Sequence, residues 1–550
     1  MEDLFRKIPL IKKIIVEELD DQSCVKFKDA SREISNHIRN ERFYWIRVLR
    51  SHDFVHGYFK VSWAKVVKRI SLEFVKEIVL LTDQFCKNKH FTEQTKVIRG
   101  KSLEKMPSFS PHNIAAYCGN LDFYKHFVKR TFDINPKEPC SEYTPLHFAA
   151  CYGKLEICQF IITDLYDKNP KNKYGVTPLH LAANCFGHME VCQLIIKNIQ
   201  DKNPKDINDD TPLHLASERG YMDIFLLISE NLHDKNPAGN DGNTPLHLAA
   251  SMGHMSICKF IIKDVQDKNP GNLIGDTPLH LAAGQGHLEI CKLIIASVQN
   301  KNPGNLDGET PLHDAAESGH LDICKLIIAN VQDKNPGNLE GQTPLHDAAE
   351  FGHLDVCKLI IANVQNKHPR KGLEGETPLH LAATAGHLDI CKLIIVNVEN
   401  KNPGDDYNHT ALHQAASSGH LEICKLIIAN VHDKNPVDDY GRTPLHCASE
   451  WGFLDVCKLL FEIVQIKNPG DKKGRTPLHG AAEFGYLDIC KFFINNLQEK
   501  EPKDDEGITP LCLATKKRRW NGVTQNGIEN PKLLQELFDV LDTKPDFQSS

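Results

Sequence analysis

The 550-residue chain has no apolar run approaching the ~18 residues that a membrane-spanning helix requires. It opens on Met1-Glu2-Asp3, acid where a secretory leader carries basic residues. No membrane span is expected, and a cytoplasmic location is. Catalytic signatures are missing as well: there is no glycine-rich phosphate loop, no Gly-x-Ser-x-Gly and no His-Glu-x-x-His. An enzyme is not expected, and no catalytic residue, cofactor or metal is assigned. Basic charge is not in excess, since 65 Lys and Arg stand against 72 Asp and Glu for a net of −7, and nucleic acid is not an expected partner. The acidity is uneven. Residues 1–109 carry 22 basic and 15 acidic residues, a net of +7, which leaves −14 for the remainder. That break in charge sets an N-terminal segment apart from the rest of the chain.

What the chain does have is one wording, used repeatedly. Thr-Pro-Leu-His begins at Thr144, Thr177, Thr211, Thr244, Thr277, Thr310, Thr343, Thr377, Thr443 and Thr476, with softened copies at Thr410 and Thr509 and a worn one at Ser110. The spacing is 33 residues, and 34 twice. In the clearest copy, Gly308 to Ile328, Thr310 is placed to cap a helix that Pro311 can start, because proline has no amide hydrogen to lose there. Leu312, Ala315 and Ala316 share a face, and the two alanines allow close approach. Gly319 stops this helix, since glycine accepts a left-handed conformation. Leu321, Ile323, Cys324, Ile327 and Ile328 make the apolar side of a second helix, and Gln332 to Asn338 is turn chemistry. One such pair cannot bury its own apolar faces, whereas stacked units can.

This wording resembles the ankyrin repeat, over roughly residues 106–520 in about thirteen units. The resemblance implies an all-α ankyrin-repeat solenoid: helix pairs with hairpin fingers, preceded here by a small helical N-terminal domain. It implies that His313 and its counterparts tie adjacent fingers together by hydrogen bonds. It also implies that a target protein is held on the concave surface made by finger tips and first helices.

Departures from the repeat carry their own expectations. Asn184-Cys185-Phe186 adds a residue between two helices, and His368 to Gly372 adds one in a finger. Glu142 and Asp209 stand where other copies have glycine, so strained or altered turns are expected there. Val331-Gln332 replaces the usual Gly-Ala, which suggests that the second helix runs on further. Ten cysteines (Cys158, Cys192, Cys258, Cys291, Cys324, Cys357, Cys391, Cys424, Cys457 and Cys490) share one repeat position, which Phe225 fills in the third full copy. Equivalent positions one layer apart are separated by roughly 8–10 Å, beyond the ~7 Å Cα limit for a disulfide. They read as buried thiols in a reducing compartment. His287 with Cys291 and His320 with Cys324 would supply two metal ligands where a structural zinc site needs four.

Residues 1–50 carry a second pattern. Leu4, Ile8, Pro9, Ile11, Ile14, Ile15 and Leu19 form one apolar face, Asp20 to Ser23 a break, and Val25, Phe27, Ala30, Ile34 and Ile38 a second amphipathic stretch closed by Trp45. The order resembles an F-box, with Ile8 where that family usually has Leu and Ile34 where it often has Trp. The resemblance implies that Leu4, Ile8, Pro9, Ile15, Leu19 and Val25 bind the adaptor subunit of a cullin–RING ubiquitin ligase. The alternative is a helical cap for the repeat stack. Residues 51–105 read as a helical connector. Residues 521–550 read as a capping helix (Lys532 to Leu541) and a tail. Lys516-Lys517-Arg518-Arg519 reads either as a nuclear-import signal or as the solvated end of the last repeat.

Positions that vary between copies are free to read a partner. The middle copies are acidic there, including Glu309, Asp314 and Asp347; the later ones turn basic and aromatic, with Arg442, Trp451, Lys472, Arg475 and Phe484. Phe351, Trp451 and Phe484 precede the inter-helix glycine, and exposed aromatics and Arg are favoured at binding hot spots. The expected function is protein–protein interaction, as the substrate-recognition subunit of an F-box-type ligase. The alternative is an ankyrin scaffold without a ligase link.

Overall fold

The computed structural model describes residues 110–515, apart from 231 and 373. The F-box-like segment, the 51–105 connector, Lys516 to Trp520 and the proposed C-terminal cap lie outside the described residues.

The local physics of the repeated wording is visible at Thr310. Its backbone is extended (φ −119°), Pro311 takes the first helical position, and the helix Pro311–Glu317 buries Leu312, Ala315 and Ala316 completely. Gly319 closes the turn at φ +74°, and a Cβ added there would sit 2.4 Å from the His353 ring of the next repeat. Glycine is therefore needed twice over, for backbone conformation and for space. The second helix, Leu321–Ile328, buries Ile323, Cys324, Ile327 and Ile328. Among the described residues the chain has 25 α-helices and no strand.

They fall into two compact units, residues 1–234 and 235–550. The described part of the first holds four helix pairs, from Pro111–Cys118 with Leu121–Thr131 to Pro212–Arg219 with Met222–Ser229. That of the second holds eight, from Pro245–Ser251 with Met255–Asp264 to Pro477–Phe484 with Leu487–Asn496, followed by Pro510–Thr515. Within each unit the first helices pack on first helices and the second on second, so the core is a ladder of Leu, Ala, Ile and Cys that repeats layer by layer. This is the all-α ankyrin-repeat solenoid expected from the repeat. No helix among the described residues is long and apolar enough to cross a membrane.

Two departures behave differently from each other. Glu142 and Asp209 do adopt the glycine conformation, at φ 58° and 63°. The second helices do not run on through the Val-Gln step. Helix Leu354–Asn363 stops before Val364, which is extended at φ −119°. Asn363 Nδ2 donates to the Leu359 carbonyl at 2.9 Å and satisfies a group at the helix end, but the stop does not depend on it, since Met255–Asp264 and Leu454–Ile463 end at the same repeat position without an asparagine. Asn330, Asn397 and Asn430 repeat that contact.

Candidate functional site

Each finger is built on a set of hydrogen bonds that leaves its tip free. Asn302 Oδ1 accepts the amide of Leu312 at 3.0 Å, one of the donors a helix start leaves unsatisfied. Asn269 and Asn335 do the same for Leu279 and Leu345. Neighbouring fingers are joined through the backbone, for example by the Leu339 amide donating to the Asp307 carbonyl at 2.8 Å. His313 Nδ1 accepts the Thr310 amide at 3.0 Å, so the proton sits on Nε2, which donates to the Gln342 carbonyl in the next finger at 3.1 Å. Burial holds this imidazole neutral, with its pKa lowered to about 4.

The second recurring histidine is committed elsewhere. His320 Nε2 donates to the Gly284 carbonyl at 3.1 Å, and His287 to that of Ser251 at 2.9 Å, each at the end of the preceding repeat's first helix. The cysteine four residues later faces the core. Cys291 and Cys324 are completely buried, and burial pushes their thiols up to about 12. Their His-Cys spacing serves packing and capping.

The acidic residues of the middle repeats form two tiers. Asp314, on Pro311–Glu317, and Asp347, on Pro344–Glu350, occupy the position held by Leu181, Leu215, Leu248, Leu281 and Leu381 in other copies. Asp347 is 5 % exposed, and its Oδ1 accepts from Gln342 Nε2. The Oδ2 atoms of both aspartates are buried without a hydrogen-bond partner. Burial raises the Asp314 carboxyl to about 8, helped by the carboxylates of Asp276, Glu309, Glu317 and Asp347. Burial likewise raises Asp347 to about 7; the Gln342 amide opposes this, while Glu317, Glu309 and Glu350 add to it. Glu317 is exposed and Glu309 and Glu350, like Asp314 itself, are half-buried; the three glutamates form the outer tier around the two aspartates, whose Oδ2 atoms are buried. Among the described residues no Lys or Arg forms an ion pair with any of these five carboxylates.

The later repeats are organised otherwise. Arg442 is engaged within the protein: Nε donates to Asp438 Oδ2 at 2.8 Å, Nη1 lies 3.6 Å from Glu450, and the guanidinium stands over the Tyr440 ring. Arg475 reaches Glu483 at 3.1 Å. Lys472 is exposed at a finger tip and donates its backbone amide to the Tyr440 carbonyl. Phe351, Trp451 and Phe484 project at the ends of their first helices, about half exposed or more (50 %, 62 % and 49 %). The structure thus leaves Phe351, Trp451 and Lys472 exposed and places the two arginines in internal ion pairs.

Sequence reasoning passed over Gln342, the side-chain donor to buried Asp347, and the asparagines that cap first helices. The asparagine signal was present as a recurring Lys-Asn-Pro ten residues before most of the repeat leucines, but turn composition alone does not say which amide the side chain will reach. Asp in a slot that several other copies fill with Leu was equally legible in the sequence.

A sequence profile for ankyrin repeats (three copies) matches residues 112–206, 183–272, 263–338, 329–403, 392–468 and 462–525. No curated protein matched the chain. The matches span well over half of the sequence and coincide with the helix pairs described above, so the chain belongs to the ankyrin-repeat family, whose stacked units are protein–protein interaction modules.

Proposed function

We propose that the face around Asp314 and Asp347 holds a basic segment of a target protein, and that residues 1–50 couple this target to a cullin–RING ubiquitin ligase. The observation that carries the first half is the replacement by Asp, in two consecutive repeats, of a Leu that other copies hold buried or half-buried, with a buried oxygen of each Asp left unpartnered. A buried carboxyl without a cation costs stability, so its presence is best accounted for by a ligand. Lys or Arg of a partner, docked on Glu309, Glu317 and Glu350, would supply the missing positive charge to both tiers. The exposed Phe351 lies at the end of the Asp347 helix and offers that partner an apolar contact. Charge complementarity of this kind contributes chiefly to encounter rate and selectivity.

The test is calorimetric titration of the full-length protein with a lysine- and arginine-rich peptide. Replacing both Asp314 and Asp347 by Leu should weaken binding tenfold or more. Unchanged affinity would remove this surface from the reading.

The ligase link is supported by the order of Ile8, Pro9, Ile15, Leu19 and Trp45. Its chemistry would be proximity, with the target's lysines brought near a charged ubiquitin-conjugating enzyme. In full-length protein, replacing Pro9 and Leu19 together should abolish co-purification with the ligase adaptor and leave unfolding of the array unchanged. Retained co-purification would leave an ankyrin binding scaffold, with the first 50 residues acting as a cap.

A further inference from the structure

The cysteines outside the repeated position include one pair that the structure brings together. Cys151 is the last residue of helix Pro145–Cys151, and Cys185 follows helix Pro178–Asn184. They come from consecutive repeats, yet their sulfurs are 2.9 Å apart, with the Cys151 thiol donating to the Cys185 sulfur. The inserted residue explains this. Cys185 and Phe186 occupy a turn where other repeats have one residue; Cys185 is extended (φ −88°, ψ 111°) and Phe186 left-handed (φ 57°). The extra step turns Cys185 inward, to 3 % exposure, and Phe186 outward, to 55 %. Val176, Leu181, Tyr143, Tyr152 and Tyr174 enclose the sulfurs.

The two thiols are not equivalent. Donation from Cys151 favours a thiolate on Cys185 and lowers its pKa; burial opposes this by less, and the Arg219 guanidinium adds to the lowering. Arg219 is held beside the turn by its Nε bond to Asn184 Oδ1 at 2.7 Å. Cys151, as the donor and in a dry cluster, is pushed the other way. Cys185 is thus the nucleophile of the pair and Cys151 the resolving thiol.

We propose that Cys151 and Cys185 are an oxidisable pair that a peroxide converts to a disulfide joining two consecutive repeats. The Cys185 thiolate attacks one oxygen of the peroxide; the O–O bond breaks, hydroxide leaves and takes up a proton as water, and Cys185 becomes a sulfenic acid. Cys151 sulfur attacks that sulfur, the S–O bond breaks, and the hydroxyl leaves with the Cys151 proton as a second water. Two thiols lose two electrons, and one hydrogen peroxide becomes two waters. An S–S bond requires the sulfurs to close by only about 0.9 Å. A thiol of lowered pKa beside a resolving cysteine is half of the arrangement of a reversible redox site; the other half, access for the peroxide, has to come through the surface turn at exposed Phe186, next to Cys185. The bond would staple the repeat carrying the exposed Phe186 to the one before it.

The experiment treats full-length protein with one equivalent of hydrogen peroxide and maps its peptides before and after dithiothreitol. The expected product is a linked peptide pair containing Cys151 and Cys185, two hydrogens lighter, released by the reductant. Cys151→Ser should instead leave Cys185 as a sulfenic acid that dimedone traps, whereas Cys185→Ser should give no trapped adduct on Cys151. In the wild type the oxidised protein should unfold at a higher temperature, and reduction should reverse that rise. A wild-type map in which Cys151 and Cys185 remain free thiols while exposed Cys140 and Cys512 are oxidised would overturn the proposal. So would a disulfide joining either residue to another cysteine.

Discussion

Asn335 Oδ1 lies 2.9 Å from the amide nitrogen of Leu345, ten residues further along, and so caps a helix from outside it. The same slot in the next finger is filled by His368, both of whose ring nitrogens are buried without a partner. Asn335→Ala should therefore cost about 1–2 kcal/mol, the worth of a helix cap. His368→Asn should restore a cap for Leu379 and stabilise by about 1 kcal/mol. Urea unfolding of the two variants checks both signs, and equal effects would show that the slot does not cap.

His313 gives the array an acid limit. Its folded pKa of about 4 lies below the ordinary 6.5, so the unfolded chain takes up the proton first. The stability this residue contributes is complete above pH 6.5 and declines as the pH falls towards 4. His247, His380, His413 and His446 are lowered to about 4 for the same reason, burial. Unfolding midpoints measured from pH 7 to pH 4 should drop steeply. His313→Gln should be less stable by about 2 kcal/mol at pH 7, and its midpoint should fall less steeply with acid, since one proton-uptake site is gone.

Gly319 separates two causes of strain. An added Cβ meets the His353 ring at 2.4 Å, and φ +74° is itself unfavourable for any other L-residue. Gly319→Ala should cost about 2 kcal/mol. Adding His353→Ala removes the clash and leaves the backbone term. The double variant should thus lose less than the two single losses added together, as a double-mutant cycle by chemical denaturation would show.

The helices were legible in the sequence because every copy states the same local rules: Thr-Pro to start, Gly319 or its counterpart to stop, Leu and Ala facing inward. What escaped was long-range. The amide reached by Asn335 lies ten residues on, across a turn, and the carbonyl reached by His320 lies in the preceding repeat, so that pairing exists only once the repeats stack. The second helix was expected to run on because Val331-Gln332 replaces the usual Gly-Ala; instead the backbone turns extended at the equivalent Val364, as it does at Val265 and Val464. Arg442 and Arg475 looked free because Asp438 and Glu483 approach them only in the fold. The acidic tier was visible as charge, while its division into buried aspartates and outer glutamates was not.

That division makes the proposed site dependent on pH in a stated direction. Asp314 and Asp347 have folded pKa values of about 8 and 7, raised chiefly by burial, against an ordinary 3.8. At these two positions the folded protein therefore holds protons that the unfolded chain has released, and the stability that this pair contributes falls as the pH rises from about 4 through 8, against the opposite trend of the buried histidines. Replacing both residues by Leu, as other copies have, should stabilise by about 2 kcal/mol at pH 8 and by much less near pH 4. Binding should move the opposite way. Raising the pH through 7 and 8 ionises the inner tier, so affinity for a basic peptide should increase across that window at constant salt. Binding to the double Leu variant should be nearly flat over the same range. Calorimetry at pH 6, 7 and 8 reads both, and a wild-type affinity that fell with pH would mean the inner carboxyls do not face the bound cation.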